Sequence, residues 1–405
     1  MSNETKKYQI LYIFMHIFFW ISYLISWGYT AVYLSHRGQS STTIGLITGI
    51  GAIISVIVQP LLISYIEKSL WLDIKKLIIG LKILALTFAV MIHLIPSNGI
   101  ILILLFTLVC MLDVSITSMY NSICMDTVNR GININFGLGR GSGSLFYAIS
   151  SIVFGYLVKD FGPAVLMPLY ISFSILAILA VIVFPYVKPA ASASRDNFKI
   201  NSHENNENSD LNIKKGNGLF SRYPFLMPFL IATVLIFMGH SMFNMFLIKV
   251  IERAGGDSSS MGIALAIAAG TELPVMTITA KLSKKLTTTR LLMISALFFT
   301  FKMLLSLFAS NMAILFIAQF MQCGAFAIYT PVAVYYINEK LDEKDKAMGQ
   351  SLNGAFSLGL GGAVGNIIGG VIVDCFGVPA MILFSAGLSF AGFISLIIAS
   401  KKENR

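Results

Sequence analysis

The sequence predicts an all-α membrane protein with twelve transmembrane helices in two pseudo-symmetric six-helix bundles. Three observations predict it: the composition, the regular recurrence of apolar stretches, and an internal repeat. Of the 405 residues, 56% are hydrophobic and only 12% are charged, whereas soluble domains have about 25% charged residues. A soluble α-helical protein is the alternative, but its helices would need polar faces that these stretches lack.

Apolar stretches of about 20 residues, long enough to cross a bilayer as helices, recur from one end of the chain to the other. Helices are expected because the bilayer offers no water to satisfy exposed backbone groups. The predicted spans are Tyr8–Leu34, Thr43–Ile66, Lys76–Pro96, Gly99–Cys124, Phe136–Val158, Ala164–Val187, Tyr223–Val250, Ser260–Leu282, Leu291–Ala309, Met312–Ile337, Ala347–Val373 and Val378–Ala399. Residues 1–187 then form an N-terminal bundle and residues 223–405 a C-terminal bundle.

The segment between the bundles, residues 188–222, differs in composition from everything around it. It contains ASASRDNFKINSHENNENSDLNIKKGNG, which is rich in Asn, Ser and charged residues. Such a composition cannot bury enough apolar surface to fold. We expect a disordered cytoplasmic linker, with a regulatory segment as the alternative.

The distribution of basic residues predicts the orientation. Cytoplasmic loops carry an excess of Lys and Arg, and an even number of crossings with both termini inside places most of the 29 basic residues there. The basic residues left on the outside are Arg37, Lys159, Lys249 and Arg253. The net charge of +10 therefore reflects orientation and contact with anionic lipid. Nucleic-acid binding is not expected, because the basic residues form no stripe with interleaved aromatics.

An internal repeat supports two similar bundles. GYLVKDFG (Gly155–Gly162) matches GVIVDCFG (Gly370–Gly377), and each lies in the fifth predicted helix of its bundle. The second helices also begin alike, with Gly45 matching Gly262. Copies with an even number of helices keep one orientation, as in parallel repeats whose substrate site lies between the halves at the membrane midplane.

Charged residues within the predicted spans are the main candidates for function. A charge there costs a few kcal/mol or more and usually faces a cavity or a partner. Arg140 offers a planar fork of donors that can bind several hydroxyls or a carboxylate. Burial favours the protonated form of a carboxyl, so Glu272 is the candidate for carrying a proton, with Asp113 as a second. Lys302 is expected near Glu272, where bound substrate between them could switch protonation.

Each of these residues also has a structural interpretation. Glu272 and Lys302 could form a fixed ion pair. Arg140 could pair with Asp113 or with a helix end, and Asp113 could bond only within the N-terminal bundle. Lys82 is expected to extend its side chain to the cytoplasmic interface.

Aromatic residues mark one face of the first helix. Trp20, Tyr23 and Trp27 follow helical spacing, and we expect them to stack on a substrate ring. Packing between helices or anchoring at the interface is the alternative.

Polar side chains elsewhere in the spans complete the predicted site. Asn121 lies on the fourth helix, and His240 and Asn244 lie on the seventh. Gln319 and Gln322 share a face of the tenth. Amides within a span either hold helices together or bind polyhydroxyl solutes, and His240 could instead be a packing residue.

Two of these motifs resemble a known family. NFGLGRGSGSLFYA (Asn135–Ala148) resembles the fifth-helix entry of the lactose-permease-like oligosaccharide:proton symporters of the major facilitator superfamily, where an F-G-x-x-R pattern supplies a sugar-binding arginine. GTEL (Gly270–Leu273) is similar to the eighth-helix segment of that family, whose glutamate binds substrate. The resemblance implies the major facilitator fold, with Arg140 and Glu272 in these roles.

Other positions depart from the family pattern. Its fourth-helix glutamate falls near Ser122, and its ninth-helix arginine falls near Lys302. Gln319 and Gln322 stand where the tenth helix of the family has basic residues, and Ala325 where it has a glutamate.

We therefore predict a secondary active transporter of a small polar solute, a saccharide or nucleoside, by alternating access and proton symport. The alternatives are a proton-coupled exporter of sugars or drugs and an organic-acid permease of the same fold. An integral membrane enzyme is not expected, because the one long loop is of low complexity. The expected partners are substrate, protons and the bilayer of the plasma membrane, with no cofactor, no metal and a monomeric chain.

Overall fold

The computed structural model describes residues 3–69, 71–95, 98–186, 219–283 and 285–403, which form helices and their connections. The first helix, α1, consists of Asn3–Tyr23, a π-helical turn Leu24–Gly28 and the short helix Thr30–His36. The next helices are α2 Ser41–Lys68, α3 Ile74–Leu94, α4 Ile100–Val128, α5 Phe136–Phe161, α6 Pro163–Val183, α7 Leu226–Met245, α8 Ser258–Leu282, α9 Thr288–Leu307 and α10 Met312–Lys340. The helical stretch Glu343–Glu403 completes the fold.

This last stretch is two helices rather than one. Gly377 interrupts it with a positive φ of 82°, so we treat 343–376 as α11 and 378–403 as α12. Gly162 has a φ of 80° between α5 and α6. Both glycines end the repeated motif, since a left-handed residue that lacks a Cβ is a common helix stop. The division confirms the predicted twelve helices.

Six of the twelve described helices begin at a polar residue whose side chain accepts a backbone N–H of the first turn. Such caps satisfy donors that have no partner within the helix. They are Ser40 for α2, Asp73 for α3, Asn135 for α5, Asp257 for α8, Thr287 for α9 and Asn311 for α10.

We call α1–α6 the N-half and α7–α12 the C-half. The halves pack through two helix pairs, α5 with α8 and α2 with α11. Glycines allow the backbones to touch: a Cβ on Gly155 would lie 2.6 Å from the Ser258 carbonyl oxygen, and one on Gly262 would collide with that of Ser151. Gly45 and Gly370 face backbone oxygens of the opposite half in the same way. The sequence repeat therefore corresponds to two equivalent contacts.

Polar bonds reinforce both contacts. Lys159 at the end of α5 pairs with Asp257 at the start of α8, with 2.9 Å between Nζ and Oδ2. On the other side, the Asp374 carboxylate accepts the backbone N–H groups of Ser41 and Thr42 at the start of α2, at 3.1 and 2.6 Å. These bonds lie at the end of the molecule distant from the chain termini, which we call the distal end.

The apolar core shows that the two ends differ. At the distal end one continuous core joins both halves and includes Ile44, Phe154, Phe243 and Met261. At the end that carries the termini each half has a core of its own, around Tyr120 in the N-half and Tyr336 in the C-half. The halves are thus joined distally and separate near the termini.

The predicted linker, 188–222, lies outside the described residues except for its last four. These form a short helix, Leu219–Arg222, in which Arg222 reaches Asp345 with an N–O distance of 2.6 Å.

Candidate functional site

Arg140 extends from α5, one turn after the cap at Asn135. Its guanidinium carbon lies 3.9 Å from the centroid of the Trp20 ring on α1. Gly143 permits this approach, because a Cβ there would lie 2.5 Å from the Trp20 ring. The Nη1 atom of Arg140 is buried and has no hydrogen-bond partner among the described residues. Arg140 is therefore held flat on an indole with a donor to spare.

The aromatic residues of α1 form the predicted continuous face. The ring centroids of Trp20 and Tyr23 are 5.1 Å apart, and Tyr23 stacks on Trp27 at 5.9 Å. The Trp20 indole N–H lies 3.3 Å from Nδ1 of His16. Since Arg140 covers one face of Trp20, the indole is a platform for the arginine, while Tyr23 and Trp27 remain half-buried.

In the C-half, a short chain of hydrogen bonds links three of the predicted residues. Glu272 on α8 is half-buried, and its Oε1 accepts from Nε2 of Gln322 at 3.2 Å. Oε1 of Gln322 accepts from the ammonium of Lys302 at 2.8 Å. Lys302 is fully buried and also lies over the Phe243 ring. The direct Glu272–Lys302 ion pair considered from the sequence is therefore wrong, because the Gln322 amide stands between the two charges.

Charged residues from the two halves come near each other on α5 and α8. Arg140 and Glu272 are within electrostatic range of each other, although they belong to different halves. Tyr147 lies two turns after Arg140 on α5, and a Cβ on Gly28 of α1 would lie 3.1 Å from its hydroxyl oxygen. Opposite charges from the two halves thus influence one another across the interface.

Three other predicted residues lie deeper in the C-half. His240 is 6% exposed and lies against the rings of Phe326 and Phe299, each with a centroid distance of 5.2 Å. Asn244 lies 2.9 Å from a ring nitrogen of His240. Gln319 is buried, and its Nε2 has no partner among the described residues. His240 and Gln319 are therefore buried inside the C-half and not open to a solute.

Asn121 and Asp113 lie apart from this cluster. Asn121 is exposed on α4 and takes no part in the contacts described above. Asp113 is fully buried within the N-half, where Lys82 binds it at 2.7 Å. The expected extension of Lys82 to the interface is therefore wrong: the lysine points inward, because a carboxylate and two aromatic rings offer it partners there. The alternative pair of Arg140 with Asp113 does not form either.

Sequence reasoning missed two residues, Tyr12 and His16, that the structure places beside Arg140. Tyr12 and His16 precede Trp20 on α1 at intervals of four, and their rings lie 4.6 Å apart. Tyr120 of α4 approaches His16. The Tyr120 hydroxyl and Nε2 of His16 are buried without a hydrogen-bond partner among the described residues, and the Tyr12 hydroxyl lies beside the Cys124 thiol. The i, i+4 spacing was a usable signal, but these residues carry no charge to draw attention.

Comparison with known proteins identifies the family to which this architecture belongs. Residues 7–385 match the model of the MFS_1 like family. The chain belongs to this family. It is a multi-pass membrane transporter with the major facilitator fold, and it is not an enzyme. Eleven of the described helical stretches are long and apolar enough to cross a membrane, and the longest contains α11 and α12.

Individual relatives agree with the family assignment. A maltose permease of Geobacillus stearothermophilus is 25% identical over 383 residues, covering 92% of this chain and 90% of that protein. A mutant of the nucleoside transporter NupG superposes with a TM-score of 0.80 at 15% identity, covering 98% of this chain and 100% of the other. The peptide transporter POT in complex with sulfate gives 0.72 at 12% identity, with 98% and 95% covered. At such identities the superpositions show the fold alone.

Proposed function

We propose that this member of the family is a secondary active transporter of a saccharide or a nucleoside, driven by proton symport across the plasma membrane. The observation that carries the proposal is the placement of Arg140, stacked on Trp20 in the N-half, and of the Glu272–Gln322 hydrogen bond in the C-half, with opposite charges in electrostatic range. Arg140 has a donor without a partner among the described residues, and Glu272 bonds a neutral amide that a solute hydroxyl can replace. The maltose permease and the nucleoside transporter among its relatives support this substrate class.

Binding would use both halves at once. Arg140 offers Nη1 to a hydroxyl or carbonyl oxygen of the solute, and Glu272 accepts a hydroxyl from the opposite side. Tyr23 and Trp27 provide half-buried ring faces on which a sugar or base can lie. A solute held by both halves stabilises their approach, which is the requirement for alternating access.

Proton coupling would act through Glu272. As a carboxylate it attracts Arg140 and accepts the Gln322 amide, and as a carboxylic acid it loses the first interaction and becomes a donor. A proton on Glu272 therefore releases Arg140 for the solute. Loss of the proton would restore the attraction across the interface.

The separation of the halves near the termini fits an inward-open state. If the termini are cytoplasmic, as the basic residues predict, the distal end faces outside and is closed. The site then communicates with the cytoplasm. One chain contains both halves and the complete cluster, which supports a monomeric transporter.

Uptake into proteoliposomes tests the proposal. With an inward proton gradient, the parent should accumulate labelled maltose or labelled uridine against its concentration. Glu272→Gln should lose accumulation but keep exchange down a gradient. Glu252→Gln, an exposed glutamate beyond α7, is the matched control and should behave like the parent.

The other outcomes discriminate between functions. Accumulation of an organic acid but of neither labelled solute would identify the organic-acid permease. Proton-driven loss of preloaded solute would identify an exporter. Equal accumulation by Glu272→Gln and the parent would remove Glu272 from coupling.

A further inference from the structure

The N-half contains a buried ion pair that the transport site does not use directly. Lys82 of α3 and Asp113 of α4 are 2.7 Å apart and 1% and 0% exposed. Oδ2 of Asp113 also accepts from the hydroxyls of Ser26 at 2.6 Å and Tyr170 at 2.9 Å. The Lys82 ammonium donates a further bond to Ser22 at 3.0 Å. One charged pair thus joins α1, α3, α4 and α6.

Both contacts on α1 flank its aromatic face. Ser22 precedes Tyr23 by one residue, and Ser26 lies within the π-helical turn Leu24–Gly28, just before Trp27. The turn is closed by the bond from the Tyr29 N–H to the Leu24 carbonyl oxygen at 3.0 Å. π-helical turns are rare in proteins overall, but those that occur often lie at functional sites. The turn rotates the following residues relative to a regular helix, so it determines the direction of Trp27.

Stability alone does not explain this pair. Removing two charges from water is expensive, and well-packed apolar residues of similar volume often serve a fold equally well. What an ion pair adds is geometry, because its partners accept only a narrow range of distances and directions. The pair acts on α1 through two serine hydroxyls, whose short side chains transmit the position of the charges to the backbone.

We propose that Lys82 and Asp113 form a positioning pair that fixes the π-helical turn of α1 and thereby places Tyr23 and Trp27 in the substrate site. The inference rests on the proposed function for the role of these two rings. Asp113 has no exposed surface, and its carboxylate is occupied by Lys82, Ser26 and Tyr170. Such a carboxylate suits a fixed anchor better than a carrier that must exchange protons.

The test separates the link to α1 from the pair itself. Ser26→Ala removes one hydroxyl between Asp113 and the turn and leaves the ion pair intact. Ser115→Ala is the matched control, because Ser115 is a buried serine two residues from Asp113 that bonds Ser55 of α2 at 3.0 Å. Lys82→Met combined with Asp113→Leu removes the pair without leaving an isolated charge.

Tryptophan emission gives a readout that needs no ligand. The chain has three tryptophans, and Trp71 is 85% exposed in a loop. In a Trp71→Phe background the emission reports only Trp20 and Trp27. Ser26→Ala and the double variant should shift this emission to longer wavelength and increase its quenching by acrylamide. Ser115→Ala should match the parent.

Transport of labelled maltose or uridine gives the second readout. Ser26→Ala should raise KM about tenfold with Vmax retained, as expected when one hydrogen bond to a charged group no longer orders the binding surface. Unchanged emission and KM in Ser26→Ala would overturn the proposal. So would loss of proton-driven accumulation in Asp113→Asn with KM and emission unchanged, since that identifies a proton carrier. If neither solute is transported, the proposed function fails, while the emission still decides the positioning role.

Discussion

Arg140 is the residue whose chemistry depends most on its neighbour. A guanidinium stacked on an indole keeps its plane and its free donor in one direction. In Arg140→Lys the charge remains, but the flat contact with Trp20 and the fork of donors are lost. We expect the uptake rate at low solute concentration to fall more than about tenfold.

Arg130→Lys is the matched control, since the Arg130 guanidinium lies 5.4 Å from the Tyr186 ring centroid, outside the site. It should leave uptake unchanged. Equal uptake by Arg140→Lys and the parent would show that only the charge at this position is used.

Gln322 is uncharged, but it accepts the hydrogen bond of the buried Lys302 ammonium. Gln322→Leu would leave the Lys302 ammonium buried without its hydrogen-bond acceptor. Leaving a buried charged donor without its acceptor costs on the order of 1–3 kcal/mol or more, so the melting temperature in detergent should fall by several degrees. Adding Lys302→Met to Gln322→Leu should restore the melting temperature. Neither the single nor the double variant should take up solute.

If Gln322→Leu alone melts like the parent, Lys302 has another partner or no charge. If the double variant transports normally, the chain from Glu272 to Lys302 serves structure only.

The sequence indicated the charged residues of the site but not their connections. A charge in an apolar span is conspicuous because its burial is expensive, which is why Arg140, Glu272 and Lys302 could be selected. Which of them touch depends on side chains from three different helices. Gln322 belongs to the turn Met321–Cys323 of α10 and lies between Glu272 and Lys302 through two hydrogen bonds. The roles of these residues in binding stay predictions.

At the scale of elements, the glycines of the helix contacts decide how closely the halves approach. A Cβ on Gly262 would collide with the Ser151 carbonyl oxygen, and backbone cannot move aside as a side chain can. Gly262→Val should therefore hold the distal end open. Gly270→Val on the same helix is the control, because nothing lies within 4 Å of a Cβ there.

Thiol labelling measures the effect. Ile44 is fully buried in the distal core, and Ile44→Cys in a chain without native cysteines should react slowly with an impermeant maleimide. Gly262→Val should accelerate the reaction and Gly270→Val should not. Equal rates in all three chains would contradict the closed distal end.

The pair of Lys159 with Asp257 should not respond to physiological pH. Bonds from the Ser259 hydroxyl and from Lys159 hold the pKa of Asp257 well below its usual range. A lowered pKa contributes stability above the unfolded value, near 3.9, and loses it only as the pH falls through the folded value. The pair is partly exposed, so solvent screens it and its contribution to stability is small. Lys159→Met removes this pair and should slightly increase the labelling rate of Ile44→Cys. Because Asp257 stays ionised, the increase should be equal at about pH 5.5 and pH 8. A difference between the two would mean that Asp257 titrates in this range.

Element boundaries were predictable where local chemistry sets them. Polar caps and the repeated FG at Gly162 and Gly377 mark helix ends in the sequence itself. The π-helical turn of α1 was not predictable, because no Gly or Pro pattern requires it and its bonds reach distant helices. The same holds for Lys82, since the depth of a lysine alone does not show that a carboxylate faces it from α4.

For the whole molecule, orientation is the prediction that remains to be tested. Asn3 and Glu403, the first and last described residues, lie at the end where the halves are separate, and the excess of basic residues predicts that this end is cytoplasmic. A reporter that is active only in the cytoplasm should function when fused after position 405. The same reporter inserted at Gly255, in the loop between α7 and α8, should be silent. The reverse pattern would place the open end outside.

The twelve-helix architecture followed from hydropathy and the internal repeat, because bilayer thickness and duplication each leave a regular trace in a sequence. The conformation did not follow. Inward-open and outward-open states contain the same helices and caps, and they differ in which end of each half packs against the other. Only coordinates show that Gly45, Gly155, Gly262 and Gly370 are in contact while the termini end is apart.

The two distal contacts have equivalent backbone geometry but different polar bonds. This difference affects how the distal end opens. One side is joined by an ion pair between flexible side chains, which dissolved salt weakens, since the screening length falls to about 3 Å at 1 M. The other is a carboxylate seated on two backbone amides at a helix start, a geometry that depends less on free ions. At high salt the distal end should therefore open first between α5 and α8, with the contact between α2 and α11 acting as the hinge.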